Sequence, residues 1–136
     1  MANLLSTKFS GGVFEKLGTS TVSGTTVTVD LATGSFFVLD LQGASGTIET
    51  FTISNINAAA PKTVTFNTKV IQGSTARQFN WARLTAFKWQ KYWLPGTGWV
   101  HRPTISATND AVDVYSFTTY DNGTSWYASI VGQNIS

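Results

Sequence analysis

The chain has 136 residues and a mass of 14.7 kDa, with 42% hydrophobic and 13% aromatic residues, which is the size of one domain with enough apolar mass for a core and excludes disorder. Charged residues are only 12% against about 25% in ordinary soluble domains, a balance that suits a β-rich protein covering part of its surface with other chains. Cysteine is absent, which excludes disulfides, thiolate catalysis and zinc sites of the Cys type.

The net charge of +2 conceals an uneven distribution, because seven of the nine basic residues lie between positions 62 and 102 and no acid occurs between Glu49 and Asp110. The same stretch holds Phe79, Trp81, Phe87, Trp89, Tyr92, Trp93 and Trp99. The first residues lack the basic region and apolar run of a signal peptide, and no stretch approaches the roughly 20 apolar residues of a membrane span. Synthesis in a cytoplasm and no membrane partner are expected.

Residues 1–24 show no sustained period and carry Ser10-Gly11-Gly12 and Ser23-Gly24, so they read as an irregular N-terminal arm. Its apolar Leu4, Leu5, Phe9 and Phe14 require burial, either folded back over the sheet or docked on a neighbouring chain. From Thr25 the pattern has period two, with Val27 and Val29 on one face and Thr26, Thr28 and Asp30 on the other, which predicts a half-buried strand. Ala32-Thr33-Gly34 supplies a turn. The next strand, residues 35–42, carries Phe37 and Leu39 on one face but also Phe36 and Val38 on the other, as where both sides of a sheet are covered.

Residues 47–56 alternate through Phe51 and Ile53 and stop at a turn over residues 58–62. Residues 63–71 place Val64, Phe66 and Val70 opposite Thr65, Asn67 and Lys69, and a short strand is predicted at residues 77–81 with Phe79 and Trp81 on one face. Residues 82–104 read as a long ordered loop, since Pro95-Gly96-Thr97-Gly98 interrupts any element running through it. Residues 111–120 and 124–131 form a hairpin about Asp121-Asn122-Gly123, the Asn-Gly pair accepting the positive φ angles of a tight turn.

Short strands at regular spacing without an amphipathic helix predict an all-β fold, an antiparallel β-sandwich of jelly-roll-like form over residues 25–136, with the arm at residues 1–24. The expected core is Val27, Val29, Phe37, Leu39, Phe51, Ile53, Val64, Phe66, Trp81, Val114 or Phe117, and Trp126.

No chemistry-bearing constellation appears. His101 is the single histidine and has no nucleophile elbow or second ligand to work with. The carboxylates are scattered, so the pair that glycoside hydrolysis needs cannot be assembled from the sequence, and Asp121-Asn122-Gly123 lacks the later acidic ligands of a calcium loop. No enzyme, cofactor or metal is expected. The basic aromatic stretch admits base stacking, sugar stacking or simple packing. Trp81 and Trp89 follow a buried alternation, whereas Trp93 and Trp99 flank the loop and are expected, with Tyr92, to face a partner chain. Nucleic acid is not the expected partner.

Val27-Thr28-Val29-Asp30-Leu31-Ala32-Thr33-Gly34 with Phe37, then Trp81 with Lys88-Trp89, then Pro103-Thr104-Ile105, and above all Asp113-Val114-Tyr115-Ser116-Phe117-Thr118-Thr119-Tyr120-Asp121-Asn122-Gly123-Thr124-Ser125-Trp126-Tyr127 together resemble a family of small phage virion modules. These occur in tailed phages of cyanobacteria and other marine bacteria, alone or at the ends of fibre proteins. The resemblance spans residues 25 to about 133 and implies a non-enzymatic structural component of the virion, a capsid decoration (cement) protein or a tail or fibre appendage subunit, made in the cytoplasm of an infected bacterium. It implies self-assembly, a homotrimer before other numbers, and contact with other virion proteins.

The sequence departs from the family between Gln90 and Arg102, where Tyr92, Trp93 and Trp99 are its own additions to a short Gly-containing link. The candidate interface is therefore Leu4, Leu5, Phe9, Phe14, Tyr92, Trp93 and Trp99. The alternative is a receptor-binding tip that recognises host surface glycans. The short stretch before the first strand favours a chain docking directly on a shell or tail over a stemmed tip.

Overall fold

The structure, a computed structural model, describes residues 16–56 and 63–135. The arm residues Leu4, Leu5, Phe9 and Phe14 and the turn expected at residues 58–62 lie outside them. Ten strands follow in order: β1 (Ser20–Ser23), β2 (Thr26–Asp30), β3 (Phe36–Asp40), β4 (Thr50–Ser54), β5 (Val64–Ile71), β6 (Phe87–Trp89), β7 (Tyr92–Leu94), β8 (Gly98–Val100), β9 (Val112–Thr119) and β10 (Trp126–Ile135). The fold is an all-β sandwich. A sheet ordered β1-β2-β4 packs on a five-stranded sheet ordered β3-β5-β9-β10-β6, and β7 and β8 form a separate ribbon.

Period-two alternation builds the sandwich. Val27 and Val29 of β2, Phe37 and Leu39 of β3, Phe66 and Val70 of β5, and Tyr115 and Phe117 of β9 all turn inward and are buried. Phe66 sits at the centre, stacked on Phe117 at 5.0 Å and edge-on to Trp126 at 5.0 Å and to Phe37 at 5.8 Å. Such ring pairs add about 0.5–1.5 kcal/mol each beyond the area they bury. Of the expected core, Phe51, Ile53 and Val64 are half-buried and packed against it, the first two because β4 is an edge strand of the smaller sheet. Val114 faces outward and Phe117 inward, which settles that alternative.

The pairing differs from the antiparallel, jelly-roll-like order that the spacing suggested. β2–β4, β3–β5 and β6–β10 are parallel, while β1–β2, β5–β9, β9–β10 and β7–β8 are antiparallel. The physical reason is that the chain passes between the sheets twice in the same sense, from β2 to β3 and from β4 to β5, which sets β4 beside β2 and β5 beside β3. Parallel neighbours require such crossovers, since no hairpin can join them. Where β2 and β4 end side by side, the Asn55 side chain donates to Asp30 Oδ1 at 2.6 Å, with Asn55 in the left-handed region at φ 61°, a conformation Asn tolerates better than most residues.

The irregular arm expected over residues 1–24 ends in a strand. Ser20–Ser23 pairs with β2, and the chain before it runs along the free edge of β3, where the Gly18 amide donates to Phe36 O at 2.8 Å and Ser20 Oγ to Val38 O at 2.6 Å. Closing an edge in this way removes a template for unwanted strand pairing. Residues 77–81 are not a strand: Phe79 makes only an isolated bridge to Ile48, yet it lies buried and stacked on Trp81 at 4.8 Å.

Residues 103–107 have no regular structure and are fixed by side chains from elsewhere. Gln78 pairs with the backbone of Ile105 as a strand would, donating to its carbonyl and accepting from its amide at 2.8 Å each. Trp81 Nε1 donates to Pro103 O at 3.0 Å, and Gln72 Nε2 donates to Ser106 O at 3.1 Å. Asp113, 1% exposed, accepts from the Ser106 amide at 2.8 Å, the Ser106 hydroxyl at 2.6 Å, the Tyr115 hydroxyl at 2.9 Å and the Asn134 amide at 2.9 Å. Burial by itself raises the Asp113 carboxyl, but these four hydrogen bonds together outweigh it and hold its pKa below the ordinary 3.8.

Candidate functional site

The expected long loop at residues 82–104 contains β6 and a complete hairpin. Pro95-Gly96-Thr97-Gly98 does not interrupt a strand; it reverses the chain between two of them. Thr97 N donates to Leu94 O at 3.1 Å and Gly96 has φ 80°, the geometry of a type II turn with Pro at its second position and Gly at its third. Gly98 follows at φ 92°, again a conformation that suits glycine.

Within this ribbon Tyr92 pairs with Val100, Trp93 with Trp99 and Leu94 with Gly98. Trp93 and Trp99, irregularly spaced in sequence, are therefore directly opposite one another, their rings edge-to-face at 5.6 Å and 74°. They are 59% and 67% exposed, with Leu94 beside them at 40%. The structure thus brings together two of the predicted interface residues and places the backbone of Tyr92 next to them. Leu4, Leu5, Phe9 and Phe14 lie outside the described residues. Lys91, His101 and Arg102 flank the ribbon and are exposed.

A second exposed aromatic pair escaped the sequence reading. Tyr120 and Tyr127, 65% and 55% exposed, meet at 5.8 Å and 60° on the outer face of the larger sheet. The signal was present, since a buried Trp126 at the start of β10 turns Tyr127 outward. Asp121, which closes the β9–β10 turn, accepts from the Ser125 amide at 2.9 Å and the Thr119 hydroxyl at 2.8 Å, and these bonds lower its pKa. Asn122 and Gly123 take the positive φ angles expected of them.

Among the described residues, no group of three or more His, Asp and Glu side chains could hold a metal ion, and no helix is long and apolar enough to cross a membrane. The class defined by these features is an all-β sandwich that presents an aromatic ribbon. Comparison with protein-family models, with curated proteins and with solved structures finds no match.

Proposed function

We propose that the chain is a non-enzymatic structural subunit of a phage virion, a capsid decoration or tail or fibre appendage protein, that assembles with itself and with other virion proteins through the β7–β8 ribbon. The observation that carries this reading is the Trp93–Trp99 pair, more than half exposed on both sides and held in register by a turn whose Pro and Gly preset the backbone. A tryptophan buries on the order of 200 Å² when covered, and a pre-ordered pair loses little side-chain entropy on docking. The resemblance of residues 25 to about 133 to small virion modules supplies the particle, and the low charge content supports a surface that other chains cover. A homotrimer is the expected assembly.

Immunogold labelling of purified particles of the encoding phage, with an antibody to this chain, tests the proposal. Dense label over the head assigns a decoration subunit, and a few grains at the tail assign an appendage subunit. Particles without label overturn the reading.

A further inference from the structure

A groove lies on the larger sheet where β6 stops short of its neighbour. β6 pairs with β10 only from Trp126 to Ala128, so from Ser129 onward that side of β10 has no strand beside it among the described residues. Two adjoining clefts open there and share Trp89, Gln90, Ala128 and Ser129. The larger, about 420 Å³, reaches over the outer face to Tyr120 and Tyr127. The smaller, about 200 Å³, runs the other way to Pro103 and Ile130.

The lining is built for a particular chemistry. Lys88, Tyr127, Thr118 and Thr65 form one cross-strand row on the outer face, which puts an aromatic ring between a cation and two hydroxyls. Ser129 and Gln90 continue the polar lining past the end of β6. Trp89 lines both clefts, while its indole ring packs inward against Trp81, Tyr115 and Phe117. Among the described residues, none lining either cleft is acidic.

From this we infer that the groove binds a short oligosaccharide. Exposed tyrosine rings offer flat apolar faces to the C–H faces of sugar rings, and short hydroxyl and amide side chains on a sheet meet sugar hydroxyls. Glycoside cleavage needs a pair of carboxylates, and the described lining offers none, so the inference is one of binding. Among the described residues a single cation, Lys88, lines the clefts, and its ammonium already donates to Thr85 O at 2.8 Å; one cation is too few to track a phosphate backbone, which favours a sugar over nucleic acid. Neither Trp93 nor Trp99 lines the clefts, so the site stands apart from the assembly role and goes beyond it.

The test is titration of the full chain, followed by calorimetry and tryptophan fluorescence, with a neutral glucan tetrasaccharide, a chitin tetrasaccharide, a uronate tetrasaccharide and oligo-dT. The expected result is saturable binding of at least one sugar, weakened tenfold or more by Tyr127→Ala, retained by Tyr127→Phe, which keeps the ring, and unchanged by the double variant Trp93→Ala/Trp99→Ala. Ser129→Tyr, which fills the shared part of the groove, should abolish binding while leaving the circular dichroism spectrum intact. The inference is overturned if no sugar binds at millimolar concentration, if binding survives both Tyr127→Ala and Ser129→Tyr, or if oligo-dT alone binds. It is also overturned if Tyr127→Ala dissociates an oligomer without a sugar effect, which would make the face a contact between copies.

Discussion

Residues 103–107 and the β7–β8 ribbon stand close together in the chain and are held in opposite ways. The first has no regular structure, yet Ile105 is 1% exposed and both its amide and its carbonyl are bonded by the Gln78 side chain. The second has regular strands and an ordered turn, yet both its tryptophans stand in solvent. Regularity and burial are therefore independent here. The irregular segment is a structural member of the sandwich, fixed by Gln72, Gln78, Trp81 and Asp113, while the described side chains of the regular ribbon lie outside the core.

The largest expected effect lies on the buried side of this contrast. Ile105→Ala should lower stability by about 2–5 kcal/mol in denaturant unfolding, the range for removing a buried aliphatic side chain that leaves a cavity. A loss under about 1 kcal/mol would mean that the segment is merely draped on the sandwich. Gln78→Ala comes next, because it strands a buried amide and a carbonyl of Ile105, and about 1–3 kcal/mol is expected for such groups. Hydrogen exchange at the Ile105 amide should rise with it.

Asp113 gives the same contrast a pH dependence. Its folded pKa lies below the ordinary 3.8, so its contribution to stability is whole above that value and is lost as the pH falls through the folded pKa. Melting temperature should therefore fall on acidification more steeply in the wild-type chain than in Asp113→Asn, with the two curves differing least at the lowest pH. Parallel curves would contradict the role assigned to the four hydrogen bonds at this carboxylate.

Much of the sandwich was legible because its strands obey a simple alternation. Val27 and Val29, Phe66 and Val70, and the Asn122-Gly123 turn each state their own conformation locally. Strand direction was not legible, since an alternating segment reads the same whether its neighbour is parallel or antiparallel. The pairing of β4 beside β2 and of β5 beside β3 is set by long-range crossovers between the sheets. The ribbon was misread because Pro95-Gly96 was weighed as an interruption rather than as the two central residues of a type II turn. The turn alone would set Trp93 opposite Gly98; it is the additional loop residue Thr97, which brings Leu94 opposite Gly98, that places Trp93 opposite Trp99. The groove at Ser129 was hidden for a different reason: it depends on how far β6 extends along β10, a long-range pairing that neither segment encodes alone.

The smallest expected effect on stability is the most telling for function. Trp93→Ala/Trp99→Ala removes two exposed side chains and one ring pair, so the monomer should change by no more than about 1.5 kcal/mol and keep its β spectrum. Sedimentation of the full chain across a wide concentration range, wild type against this double variant, tests the central claim most directly. The account predicts an oligomer for the wild-type chain, a trimer first, and a folded, weakly associating or monomeric double variant. A wild-type chain that stays monomeric at high concentration, or a double variant that assembles as well as the wild type, would contradict it.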